Sequence, residues 1–255
     1  MKPSFRHRLR TVLVAIPVVV VLTVLAGTIT IAASLFDRTG RFAHAVARWW
    51  ARGILVATGV KVRVTGLAAL VPGATYVFVA NHQSMYDIPV VFWSLPYQLR
   101  IIAKESLGKI PFLGWHLRRT GHLLVDRSNP DREAILSRWR TLVGTGLSLI
   151  VFPEGTRSPD GRVRRFKAGS FMLALQAGLP LVPLSIAGTG AVLPKGSLTV
   201  VPQDVTLVVH PPVQPIRRPE PPTIDDAKAL AAEVQKLVHA SVEALERERG
   251  SWTAP

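Results

Sequence analysis

Asn81-His82-Gln83-Ser84-Met85-Tyr86-Asp87 gathers an amide, an imidazole and a carboxylate directly after an apolar run, Thr75 to Ala80. A histidine with a carboxylate nearby can take a proton from an alcohol near neutral pH, because the carboxylate holds the ring and stabilises its cation. One His near one Asp is also a common pairing with no chemical role. A second segment sharpens the reading. Phe152-Pro153-Glu154-Gly155-Thr156-Arg157-Ser158 likewise follows an apolar run, Leu147 to Val151, and carries a glycine that lets the backbone turn. Two polar clusters at the ends of two strand-like runs suggest one shared crevice, and α/β folds build their sites at strand ends.

The elements that must position these clusters are legible as alternation. Lys61 to Thr65, Thr75 to Ala80, Leu99 to Ala103, His122 to Val125, Leu147 to Val151, Leu181 to Ile186 and Val205 to Val209 are short, apolar and often β-branched, and read as strands. Helices are expected between them, at Asp87 to Trp93, Ser106 to Arg118, Pro130 to Val143 and Gly169 to Ala177. Asn129-Pro130 offers a cap and a first-turn proline for the third of these. The expected fold class is therefore α/β, a mostly parallel sheet flanked by helices.

The motifs resemble a known family. His82-x-x-x-x-Asp87, then Phe-Pro-Glu-Gly-Thr-Arg at 152–157, is similar to the glycerolipid acyltransferases, specifically the PlsC-type 1-acylglycerol-3-phosphate acyltransferases. A further block runs from Lys104 through Pro111, Gly114-Trp115 and Gly121 to Asp126-Arg127, and another is Leu181-Val182-Pro183-Leu184. The resemblance spans roughly residues 60 to 200, with no departure at any block. It implies transfer of a fatty acyl group from acyl-CoA or acyl-carrier protein to the sn-2 hydroxyl of 1-acylglycerol-3-phosphate, giving phosphatidic acid. It also implies roles. His82 is the base and Asp87 its orienting partner. Arg157 binds phosphate, with Glu154 contacting glycerol or fixing Arg157, and Gly155 and Thr156 shape the loop. Lys104, ending a strand, is a second phosphate contact, and Arg127 a weaker candidate. Asn81 is open between a donor and a loop-fixing role. Ser84 reads as a local hydrogen-bonding residue, since the substrate supplies the hydroxyl and no Gly-x-Ser-x-Gly elbow exists.

The run Arg162, Arg164, Arg165 and Lys167 borders the Glu154 loop. It reads either as solvated surface or as a contact for headgroup or CoA phosphates. Leu107, Ile110, Phe112, Leu113 and Trp115 read either as an acyl groove or as core. No cofactor and no metal is expected: His82, His116, His122 and His210 lack the spacing of a zinc site, and Gly144-Thr145-Gly146 lacks a dinucleotide fingerprint.

The 255 residues carry 31 Lys+Arg against 16 Asp+Glu, a net +15 that calls for a polyanionic partner. No nucleic-acid motif accompanies the charge. The basic residues Lys2, Arg6, Arg8 and Arg10 instead precede an uncharged run, Thr11 to Phe36. As a helix that run would extend roughly 39 Å, beyond the ~30 Å hydrocarbon core and too long for the apolar region of a signal peptide. The expected partners are thus membrane lipids. Four basic residues hold the start of the run in the cytoplasm. One crossing would then carry His82 away from its acyl donor. A second segment, Phe42 to Val60, has Trp49 and Trp50 flanked by Arg48 and Arg52, an interfacial composition. The expectation is a membrane-associated helical hairpin over residues 1–60, with the enzyme on the cytoplasmic face of the inner membrane. Cysteine is absent, which excludes a cysteine acyl-enzyme.

The acyltransferase domain is expected over 61–210, followed by a proline-rich connector over 211–222 and an amphipathic helix over 223–250. Thr223 would cap that helix and Gly250 end it, with Leu230, Val234, Leu237, Val238, Ser241, Val242 and Leu245 on one face. Two other readings stand beside the main one. The first is the same chemistry on another acceptor, such as glycerol-3-phosphate or another lysolipid. The second is a non-catalytic lipid-binding protein.

Overall fold

The computed structural model describes residues 4–37, 40–126, 132–214 and 220–250. Helix α1 is Phe5–Ala33 and α2 is Arg41–Thr58. The strands are β1 Lys61–Thr65, β2 Val77–Ala80, β3 Leu99–Lys104, β4 Leu123–Val125, β5 Ser148–Val151, β6 Leu181–Ala187 and β7 Asp204–Val209. Helix α3 is Asp87–Ser94, α4 Leu113–Arg119, α5 Arg132–Gly144, α6 Ala168–Ala177 and α7 Ile224–Glu248.

The strands form one seven-stranded sheet in the order β1-β7-β6-β2-β5-β3-β4. From β6 to β4 neighbouring strands are parallel, whereas β7 runs antiparallel to β6 and carries β1 parallel to itself. Every residue of β2, β5 and β6 is buried. Central parallel strands need both faces covered, which is why these runs are apolar but for Ser148 and Ser185. Alternation then divides each strand between two cores. Phe78, Ala80, Ile150, Val182, Leu184 and Ile186 meet Ala47, Ile54 and Leu55 of α2 and Val91 and Phe92 of α3. Val77, Val79, Leu149 and Val151 meet Trp139 of α5, Phe171 of α6 and Val234 of α7.

Two of the expected helices differ from the reading. Ser106 to Arg118 is not one helix but a 3-10 turn, Glu105–Lys109, followed by α4. Pro111 has no N–H to continue a helix, and Phe112 takes φ 60°. The buried stripe of α7 is Ala227, Ala231, Val234, Val238 and Val242, while Leu237 is exposed. Small alanines let α7 lie close to α6 and β6. The Thr223 cap is present as a capping box: Thr223 Oγ1 accepts the Asp226 amide and Asp226 Oδ2 accepts the Thr223 amide. Part of the proline connector is extended beside β6, where Val213 and Leu181 exchange backbone hydrogen bonds. The Asn129-Pro130 cap lies outside the described residues.

Helix α1 is long and apolar enough to cross a membrane. Leu13, Val20, Val21 and Leu25 on it stay more than half exposed, an apolar face that no protein surface covers. A π-helical turn, Thr11–Ala15, precedes Pro17, which has no N–H for the turn before it. Helix α2 is of a different kind. Its face with Ala47, Ala51, Ile54 and Leu55 belongs to the domain core, and Trp49 points outward. The two helices pack against each other; the Trp50 indole donates to Thr23 Oγ1 at 3.1 Å. A Cβ at Gly27 of α1 would stand 2.8 Å from the Phe112 side chain, so glycine there lets α1 rest on α4.

Candidate active site

Strands β6, β2 and β5 are adjacent and parallel, so their C-terminal ends share one edge of the sheet. The β2 end leads into Asn81–Asp87, the β5 end into Phe152–Ser158, and the β6 end into Gly188-Thr189-Gly190. The two clusters singled out in the sequence therefore meet, and a third joins them.

His82 Nδ1 lies 2.7 Å from Asp87 Oδ2. The same oxygen accepts the backbone amides of Gln83 at 2.8 Å and Ser84 at 2.9 Å, while Oδ1 accepts the Thr189 hydroxyl. Asp87 is fully buried and opens α3, where the helix N-terminus favours negative charge. A group that only accepts obliges His82 to place its proton on Nδ1. Nε2 is then the acceptor, and it has no hydrogen-bond partner among the described residues. The ring stacks on Phe152 with centroids 4.3 Å apart, and 12% of the side chain reaches solvent.

The Phe152–Ser158 loop brackets His82 through its backbone. The His82 amide donates to Glu154 Oε1 at 2.9 Å, and the His82 carbonyl accepts the Ser158 amide at 2.7 Å. Glu154 is buried, and its second oxygen, Oε2, has no hydrogen-bond partner among the described residues. Burial pushes its carboxyl up to about 7, against the amides of His82 and Arg164, which favour the charged form. No ion pair joins Glu154 to Arg157. The Arg157 guanidinium is half-buried without a hydrogen-bond or ion-pair partner among the described residues. Gly155 takes φ 74°, and the Lys167 ammonium lies over it, 2.9 Å from where a Cβ would be. One member of the basic run thus reaches the loop. Arg164 and Arg165 are exposed, separated by design of the backbone from Val163 and Phe166, which are buried in the second core.

The remaining sequence candidates fall into place differently. The Asn81 side chain donates to the Ile186 carbonyl and accepts the Ile186 amide, both at 2.8 Å. It thereby ties the loop to β6. Ser84 Oγ donates to the Leu193 carbonyl at 2.8 Å and is buried. Lys104 ends β3 at the same sheet edge, with its side chain exposed. Arg127 lies outside the described residues. Phe112 and Leu113 line an apolar cavity bounded by α1, α2 and α3, whereas Ile110 and Trp115 are exposed. His116 and His122, scattered in sequence, come together with ring centroids 5.6 Å apart. No group able to hold a metal ion is found among the described residues.

Two polar side chains at this edge escaped sequence reasoning. Thr189 is one, although Gly-Thr-Gly after an apolar run was an available signal of a strand-end turn. Lys195 is the other: its ammonium donates to the Arg157 carbonyl at 2.9 Å and to Thr156 Oγ1 at 3.3 Å. Nothing in the sequence pairs it with residues so far away.

The arrangement sets an imidazole with an open nitrogen and a guanidinium without a partner among the described residues on adjoining loops. A family model described as "Acyltransferase" matches residues 61–187. The solved structure of the 1-acyl-sn-glycerophosphate (LPA) acyltransferase PlsC from Thermotoga maritima is 30% identical, covers 98% of each chain and superposes with a TM-score of 0.80. A chloroplastic 1-acyl-sn-glycerol-3-phosphate acyltransferase of Brassica napus is 38% identical over 183 residues, which are 70% of this chain and 53% of the relative. A chloroplastic protein of the same description from Arabidopsis thaliana is 36% identical over 183 residues, 70% of this chain and 51% of the relative. The chain spans about half the length of these curated relatives.

Proposed function

This chain belongs to the PlsC-type acyltransferase family, and we propose that it acylates the sn-2 hydroxyl of 1-acylglycerol-3-phosphate, giving phosphatidic acid. The observation that carries the proposal is the His82–Asp87 pair, 2.7 Å apart with Nε2 open, bracketed by the loop that bears Arg157.

The steps follow from these groups. Nε2 of His82 takes the proton of the acceptor hydroxyl as its oxygen attacks the thioester carbonyl of the acyl donor. Asp87 holds the ring and stabilises the imidazolium. The carbon–sulfur bond breaks, and the imidazolium returns the proton to the departing thiolate. Arg157, with its fork of donors, clasps the acceptor phosphate. Lys195 steadies the backbone of that loop, and Lys104 adds a cation at the same edge. The apolar cavity along α3, lined by Phe112 and Leu113, takes acyl chain. The donor is acyl-CoA or acyl-carrier protein.

The exposed apolar face of α1 supports membrane association. We place the catalytic edge on the cytoplasmic face of the cell membrane, with α1 dipping into one leaflet and α2, packed on the domain core, lying at the interface. In inside-out vesicles the region after Lys61 should be open to protease; protection would refute this topology.

The activity is tested with purified protein in detergent, one labelled acyl-CoA and a panel of acceptors. Preferred acylation of 1-acylglycerol-3-phosphate, lost in His82→Ala with the fold retained, is the expected result. Equal use of lysolipids without an exposed phosphate would overturn the acceptor assignment, and undiminished turnover by His82→Ala would overturn the base.

A further inference from the structure

We infer that Thr189 is a positioning residue for the transfer reaction: its hydroxyl holds the far oxygen of Asp87 and so sets the plane in which that carboxylate meets His82. This rests on the reading of His82 as base.

The argument is an account of hydrogen bonds. Asp87 Oδ2 serves His82 Nδ1 and the amides of Gln83 and Ser84. Oδ1 has a single partner in the described contacts, the Thr189 hydroxyl. Thr189 is fully buried, as is Asp87, so water is not at hand to replace that donor. A hydroxyl has one proton to give. It goes to Asp87, and the Gln83 oxygen 3.4 Å away is a neighbour rather than a second acceptor.

The position of Thr189 is itself held. It follows β6 directly, after Gly188, whose φ of 95° turns the chain out of the strand. The Gly188 amide donates to Glu246 Oε1 of α7 at 2.7 Å. A chain of contacts therefore runs from α7 through the Gly188-Thr189 turn to Asp87 and His82. Three separate parts of the sequence, α7, the turn after β6 and the Asn81–Asp87 loop, converge on one proton acceptor. Removing the hydroxyl leaves Oδ1 buried and unpaired, free to rotate toward the two amides or away from the imidazole. Because the carboxylate stabilises the imidazolium only as the proton moves, the loss falls on turnover rather than on acceptor binding.

The test compares Thr189→Val, Thr189→Ser and His82→Ala in the full chain, purified in detergent, with 1-acylglycerol-3-phosphate and acyl-CoA. Thr189→Val should lower kcat about ten- to a hundredfold, the worth of a hydrogen bond to a charged group, with the acceptor KM nearly unchanged. Thr189→Ser, which keeps the hydroxyl, should restore most of kcat. A kcat for Thr189→Val within threefold of the parent, a loss confined to KM, or equal impairment of the Ser and Val variants would each overturn the inference. If Thr189→Val does not fold, Thr189→Ala against Thr189→Ser gives the same comparison. An inactive His82→Ala beside a fully active Thr189→Val would sink Thr189 alone, whereas an active His82→Ala would sink the reading beneath it.

Discussion

His82 and the His116–His122 pair are the same chemical group in opposite surroundings. His82 has a carboxylate on one nitrogen and an opening at the other. His116 and His122 have no carboxylate partner among the described residues. His116 Nδ1 meets the Thr30 hydroxyl at 2.8 Å, and His122 Nδ1 accepts the Ile101 amide at 3.0 Å, a bond that only an unprotonated nitrogen can make. The buried Arg100 guanidinium stands near both. Burial first, and Arg100 after it, lower the His116 ring to about 4; burial likewise holds His122 well below its ordinary value. These rings are packing and hydrogen-bonding elements where α1, β3 and α4 meet. Proton transfer is decided by the partner on the second nitrogen and by access to the first, not by the residue type.

Substitution breaks this contrast most sharply. His82→Ala should cost about 10²–10⁴ in kcat, the usual worth of a general base. His116→Gln should keep most turnover and lose stability instead; comparable kcat losses in both would erase the distinction. Next in size is the cation on the neighbouring loop. Arg157→Ala should raise the KM for phosphate-bearing acceptors about ten- to a hundredfold while leaving kcat less affected. A steady-state comparison of acceptors with and without an exposed phosphate reads this directly.

The two regions also carry pH dependences of opposite sign. Glu154, beside His82, has its folded value raised to about 7 from 4.5. Between those values the folded chain holds a proton that the unfolded chain releases, so stability falls as pH rises from 4.5 to 7. Glu154→Gln should remove that slope, on the order of 2–3 kcal/mol. His116 has its folded value lowered to about 4 from 6.5. Below 6.5 the unfolded chain takes a proton that the folded ring refuses, so stability falls as pH drops from 6.5 toward 4. His116→Gln should flatten that limb by a similar amount, on the order of 2–3 kcal/mol. Urea unfolding across pH 4 to 8 in detergent would measure both. Slopes of the same sign in the two variants would contradict the environments described.

Much of the fold was legible because local signals are strong where burial is complete. The largely apolar runs of β2, β5 and β6 announced central strands, and the Thr223 cap announced α7. The reversed direction of β7 was not legible, since a strand's pairing partner leaves no mark on its own residues. Nor was the break at Phe112, where Pro111 stops one helix and a second begins. Asn81 looked like a candidate for the site, yet its amide closes the gap to Ile186 on β6.

Residue order alone determined the chemical inventory: an imidazole five positions before a carboxylate, a glycine-turned loop with a guanidinium, an uncharged run beside basic residues, and no thiol. Spacing within one loop is covalent, so His82 and Asp87 had to be near each other in any fold. Contacts between distant segments are not covalent and depend on strand order and packing. Only the tertiary structure could therefore set Glu154 beneath the His82 amide, Lys195 against the Arg157 carbonyl, and Thr189 on the one oxygen of Asp87 that the loop itself leaves unserved.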